Sequence, residues 1–237
     1  MLRLDEIVVK FGGVTAVRGV SLAIAAGEVV GLVGANGAGK TTLFNVISGL
    51  VKPTSGAATF AGHDLLRLPI HRRAHLGLAR TFQIPQPLRE LTVRQNLAVA
   101  QYFGAGRVDP HEAAEILEFV GLSEKADADA ATELALSEQK ALEVAKALAT
   151  KPKLILLDEV LAGLETAAKR TFTASLQELR QRFHIGLVVI EHDLETIRTL
   201  CPRAVVFSSG TVIADGVPDE VFRDPQVVRS YTGAATS

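Results

Sequence analysis

The segment Gly34-Ala35-Asn36-Gly37-Ala38-Gly39-Lys40-Thr41 sets two glycines around a four-residue spacer and follows them with a lysine and a hydroxyl residue. Those residue types at that spacing suit one chemistry, the cradling of a polyphosphate. Glycines let the backbone curl so that successive N–H groups face a phosphate, and a following helix adds its positive end. Lys40 would reach the β and γ phosphates, and Thr41 would ligate Mg²⁺. The nucleotide-binding set is therefore Gly34, Asn36, Gly37, Gly39, Lys40, Thr41 and the adjacent Thr42.

A phosphate loop alone implies only a bound nucleoside triphosphate. The apolar run Leu154-Ile155-Leu156-Leu157 ends in two adjacent acids, Asp158 and Glu159. Ligands gather at the carboxyl ends of parallel strands, so Asp158 is expected to hold Mg²⁺, directly or through water, with Glu159 turned toward the attacking water. A third apolar run ends in Ile190-Glu191-His192-Asp193, which makes His192 a γ-phosphate contact. The other five histidines have no such placement.

These groups must be carried by strands and helices. Residues 28–33 read as a strand, 34–39 as a loop, and 40–50 as a helix ending near Gly49. Residues 153–157 and 185–190 are too short and too continuously apolar for surface helices, so they read as strands buried on both faces. The first 30 residues and 56–62 suggest a small antiparallel sheet, with turns at Gly12-Gly13 and Ala61-Gly62. Residues 85–151 carry helical patterns, notably 111–119 and 138–150, and are expected to form a helical subdomain inserted in one α/β domain spanning 1–237. Residues 204–207 and 211–214 suggest a hairpin, with a short helix from Asp219. The fold class is α/β with a mostly parallel sheet.

Composition narrows the function classes. With 25 basic and 26 acidic residues the net charge is −1, so no overall positive field recommends nucleic acid as a partner. Cys201 is the one cysteine, which fits a reducing compartment and a buried apolar role. The opening Met1-Leu2-Arg3-Leu4-Asp5-Glu6 lacks the basic cap and apolar stretch of a signal peptide. No apolar run approaches the roughly 20 residues that cross a bilayer, so a membrane role would act through a partner.

Taken together these residues resemble the ATP-binding subunits of ABC transporters, which have a P-loop NTPase fold with a RecA-like sheet, an N-terminal antiparallel β subdomain and an inserted helical subdomain. The resemblance runs over nearly the whole chain. It implies that Phe11, in Lys10-Phe11-Gly12-Gly13, stacks on adenine, and that Gln83, in Ala79-Arg80-Thr81-Phe82-Gln83, links Mg²⁺ and the attacking water to the helical subdomain. It also makes His192 the switch histidine and Glu159 the base. The Arg-Thr-Phe-Gln form and Leu157-Asp158-Glu159-Val160-Leu161-Ala162-Gly163-Leu164 look like the first ATPase of branched-chain amino-acid importers, a group that includes carriers of urea, amides and other small polar solutes. An ABC exporter ATPase is the further alternative.

The chain departs from the family pattern in three places. The signature motif, usually Leu-Ser-Gly-Gly-Gln, aligns with Leu134-Ala135-Leu136-Ser137-Glu138; Val160 replaces a proline and Glu165 an aspartate. Ala135 and Ser137 thus stand where family members contact the partner's ATP, and a helix starting near Ser137 is expected to point at that phosphate, with Ser137 either capping the helix or contacting the phosphate. The resemblance further implies a head-to-tail dimer with a second ABC ATPase, permease subunits in the membrane, a solute-binding protein acting indirectly, and a peripheral place on the cytoplasmic face of the membrane. A P-loop kinase would not account for Gln83, Glu159 and His192 together. The ATPase head of a chromosome-organising protein would be split by a coiled coil, and no sustained heptad run is present.

Overall fold

The computed structural model describes residues 1–232, excepting the side chains of Arg180, Gln181 and Thr232. In chain order the strands are β1 Leu2–Phe11, β2 Val14–Ile24, β3 Val29–Val33, β4 Ser55–Phe60, β5 His63–Asp64, β6 Leu78–Arg80, β7 Leu154–Asp158, β8 Gly186–Ile190, β9 Arg203–Ser208 and β10 Thr211–Gly216. The α-helices are α1 Lys40–Ser48, α2 Ile70–His75, α3 Val93–Ala100, α4 Pro110–Phe119, α5 Leu136–Ala149, α6 Thr166–Phe183, α7 Leu194–Leu200, α8 Pro218–Val221 and α9 Pro225–Thr232. Contacts divide the described residues into two compact units, 1–73 with 186–232, and 74–185.

In the first unit, β1 pairs antiparallel with β2 and β4 to form the small sheet expected from the glycine turns, in the order β2-β1-β4-β5. Leu2 and Leu4, and then Ile7 and Val9, are buried, the alternation shifting by one residue where the register is irregular between Leu4 and Ile7, so one face of this sheet is core. A second set runs β10-β9-β3-β8, with β3 parallel to both β8 and β9. Every residue of β3 and β8 is buried, which explains their unbroken apolar sequences. The β9–β10 hairpin turns at Ser209-Gly210, as its turn residues indicate.

The helix α1 follows β3 and stops at Gly49, whose φ of 91° is the left-handed conformation of a helix C-terminus; its N–H bonds Asn45 O at 3.0 Å. Arg73 completes that end. Its guanidinium donates to the Val46 and Ile47 carbonyls at 2.6 and 2.7 Å, a cation placed on the negative end of the helix. Burial pulls this guanidinium below its ordinary pKa, against the opposing charge of Asp64.

In the second unit, β6 and β7 are parallel, and α3, α4 and α5 pack on one another. The helices expected at 111–119 and 138–150 are α4 and α5, each starting earlier than the sequence suggested. The α4 start is explained by Asp109, whose side chain accepts from the His111 and Glu112 N–H groups, with Pro110 at the first helical position. Strand β6 and helix α6 are elements that sequence reasoning did not assign. Phe119 meets Phe183 edge-on, with centroids 5.6 Å apart, tying α4 to the end of α6.

Candidate functional site

The phosphate loop of the first unit is shaped by backbone that only glycine tolerates. At Gly34 φ is 148°, and a Cβ would lie 2.2 Å from the Phe207 carbonyl oxygen; at Gly39 φ is 106°, and a Cβ would lie 2.5 Å from Ala16 O. The loop is braced from outside by the hairpin turn. Gly210 donates its N–H to Ala38 O at 3.0 Å and accepts from Arg18 N–H at 2.8 Å.

Lys40 is 5% exposed, and its ammonium donates to Gly34 O and Ala35 O at 2.6 and 3.0 Å, so the cation sits inside the curve of its own loop. The first turn of α1 contains no acidic residue, and Gly39 offers no side-chain cap. The N–H groups at the start of α1 therefore have no competing carboxylate from their own helix. Asn36, Gly37 and Thr41 are exposed, and Thr42 is half-buried. Phe11, 52% exposed, ends β1, and His192 is exposed just beyond β8. Asp193 fixes the loop after His192 by capping α7, accepting from Glu195 N–H at 3.1 Å and Thr196 Oγ1 at 2.8 Å. Tyr231 on α9 went unnoticed in the sequence. Burial pushes its phenol up, against a hydrogen bond from the Gly34 backbone.

The second unit gathers the acids with Gln83. β7 carries Asp158 to its carboxyl end, where Arg80 Nη2 meets Asp158 Oδ2 at 2.7 Å with both side chains under 10% exposed. Asp158 N–H also donates to Thr81 Oγ1 at 3.3 Å, and Thr81 N–H to Leu156 O at 3.0 Å. Glu159 turns the chain sharply, with φ at 51°. Its Oε2 accepts from Gln83 Nε2 at 2.5 Å, so the structure joins these two candidates directly. Lys140, buried on α5, donates to the backbone carbonyls of Glu159 and Ala162. Lys140 carried no signal in the sequence, and Arg80 entered only as part of the Arg-Thr-Phe-Gln form, because the partner that each bonds is distant along the chain.

The start of α5 corrects the expectation for Ser137. The helix begins at Leu136 with Ala135 as its N-cap and no side-chain cap, so Ser137 is the second helical residue and does not cap. Glu138 supplies the carboxylate instead, accepting from Ala135 N–H at 2.8 Å. Ala135 is exposed and Ser137 half-buried.

Among the described residues no group of three His, Cys, Asp or Glu side chains is arranged for a metal. Mg²⁺ that arrives on phosphate oxygens and keeps most of its waters does not require such a cluster of protein ligands.

Residues 17–162 match the family model described as ABC transporter. The chain belongs to the ABC transporter family. A second model, branched-chain amino acid ATP-binding cassette transporter, matches residues 211–236. This ABC ATPase is 36% identical over 252 residues to the high-affinity branched-chain amino acid transport ATP-binding protein LivG of Salmonella typhimurium, covering 99% of this chain and 98% of that one. The identity to BraF of Pseudomonas aeruginosa, a protein described in the same words, is also 36% with the same coverage. Among solved structures, the ADP conformation of MJ1267, an ATP-binding cassette of an ABC transporter, superposes with a TM-score of 0.89 at 33% identity over 98% of both chains. The ABC ATPase thus has the α/β fold of a P-loop NTPase and couples ATP hydrolysis to transport. Cassettes of this family work as dimers with transmembrane permeases. Among the described residues no helix is long and apolar enough to cross a membrane.

Proposed function

We propose that this ABC ATPase drives uptake of branched-chain amino acids from the cytoplasmic face of the membrane, where it is bound peripherally. The observation that carries the reading is the match of residues 211–236 to the branched-chain amino acid transporter model, in addition to the general ABC match.

Gly34, Asn36, Gly37, Gly39, Lys40, Thr41 and Thr42 hold the phosphates of ATP, and Phe11 stacks on its adenine. Bound Mg²⁺ would neutralise developing phosphate charge, with Thr41, Gln83 and Asp158 as its protein ligands. Glu159 takes a proton from the attacking water, and His192 contacts the γ-phosphate. The hydrogen bond from Gln83 supports this role by orienting the Glu159 carboxylate. The start of α5, with Ala135 and Ser137, turns its positive end to the ATP of a second ATPase subunit arranged head to tail. Residues 85–151 act as the helical subdomain of a single domain. A groove of about 650 Å³ lined by Ile84, Pro85, Gln86, Arg89 and Asp129 is the permease docking place, and a solute-binding protein acts indirectly beyond the membrane.

The test is to purify the ATPase in detergent with the membrane proteins that accompany it, reconstitute the complex, and measure ATP-dependent uptake of labelled leucine, isoleucine and valine. Uptake abolished by Lys40→Ala is expected. Uptake of urea or an amide in place of these amino acids, or efflux, would overturn the assignment of solute or direction.

A further inference from the structure

A charged side chain that is 4% exposed must be matched by hydrogen-bond acceptors, and Lys140 finds two of them on one short turn. Its Nζ donates to Glu159 O at 3.3 Å and to Ala162 O. That turn is closed by Ala162 N–H donating to Glu159 O at 3.2 Å. It also holds Glu159, which is not glycine, at a φ of 51°. A side chain disfavours this left-handed conformation, so the turn persists only where its surroundings restrain it. Two side chains do so from opposite ends: Gln83 bonds the carboxylate, and Lys140 bonds the backbone.

Lys140 lies in the second turn of α5, the helix that begins at Leu136 just after Ala135. We propose that Lys140 is a positioning residue that fastens the Glu159 turn to α5, so that the helix carrying Ala135 and Ser137 and the acid at Glu159 keep a fixed geometry within one chain. The proposal rests on the reading of Glu159 as the base. Through this link a displacement of α5 reaches Glu159 without passing through the phosphate loop. Lys140 touches neither water nor nucleotide in this role; it acts on the backbone that aims the carboxylate.

The experiment uses the full chain in its transporter complex, comparing Lys140→Met, which keeps the length and loses the donors, with Lys140→Arg, which keeps them. In Lys140→Met, single-turnover ATP hydrolysis is expected to fall at least about 10-fold with the ATP Kd within about twofold of wild type, because a base displaced by a fraction of an ångström loses rate and not affinity. Amide hydrogen exchange of residues 159–164 is expected to accelerate in the same variant, and Lys140→Arg to recover most of both. Wild-type turnover in Lys140→Met, or unchanged exchange at 159–164, would overturn the proposal. If Lys140→Met does not fold, Lys140→Gln replaces it: an intermediate rate with faster exchange supports the link, and a wild-type rate overturns it. The exchange measurement does not depend on which residue is the base, whereas full hydrolysis by Glu159→Gln would remove the base assignment and leave the exchange result standing.

Discussion

Gln83 and Glu159 are joined side chain to side chain, Nε2 to Oε2 at 2.5 Å, although 76 positions separate them in the chain. The bond fixes the tip of a carboxylate whose backbone already sits in a turn at positive φ. The acid is therefore held at both its backbone and its tip before any substrate arrives, the preorganisation that its proposed role as proton acceptor requires.

Replacing Gln83 by leucine keeps the bulk and removes the donor. The expected result is a fall of about 10- to 100-fold in single-turnover ATP hydrolysis, with ATP affinity nearly unchanged. A matched loss of affinity would mean that Gln83 mainly binds nucleotide.

Arg80 and Asp158 form an ion pair with side chains 8% and 4% exposed. Removing one member of a buried pair leaves the other charge without compensation, a change that typically costs about 3–5 kcal/mol. Arg80→Met is expected to lower the urea midpoint accordingly, and the double variant Arg80→Met with Asp158→Asn to recover part of the loss. Stability of Arg80→Met equal to that of the wild type would show that the pair contributes nothing to the fold.

The conformation of the glycine loop and the place of both acids at the end of β7 could be read from sequence because each depends on local backbone: a curl that only glycine permits, and a buried strand that ends in carboxylates. The clamps could not. Arg73 reaches carbonyls 26 and 27 positions away and Lys140 one 22 positions away, and a single cation in a helix gives no local sign of such a partner. Strand β6, with three residues, is too short for any period to emerge. Ser137 misled for a different reason. Serine is a strong N-cap, but Ala135 and Glu138 already form the backbone half of a capping box, so the helix starts one residue before the serine.

The corrected start of α5 reverses the expected ranking of two substitutions. Ser137→Ala is expected to change stability by no more than about 0.5 kcal/mol. Glu138→Ala, which removes the carboxylate bonded to Ala135 N–H and Lys125, is expected to cost about 0.5–1.5 kcal/mol. Chemical denaturation of both variants provides the comparison.

Burial, reinforced by the charge of Glu191, pushes the Cys201 thiol up to about 12. The folded protein holds this proton more tightly than the unfolded chain, so the contribution to stability is complete below the unfolded pKa near 9 and is lost as pH rises toward 12. At pH 8 a maleimide is therefore expected to label Cys201 only after denaturant unfolds the chain. Rapid labelling of the native protein would contradict its burial.

The central claim is that one chain binds ATP through Lys40 and hydrolyses it through Glu159, and the most direct measurement is ATP binding and single-turnover hydrolysis on the same preparations of wild type, Lys40→Ala and Glu159→Gln. The account predicts that Lys40→Ala loses most of its ATP affinity, since a charge-assisted bond contributes about 1.5–3 kcal/mol and the loop geometry depends on it. It predicts that Glu159→Gln binds ATP as the wild type does and hydrolyses it about 10²- to 10⁴-fold more slowly. Hydrolysis by Glu159→Gln at the wild-type rate, or undiminished ATP affinity in Lys40→Ala, would contradict it.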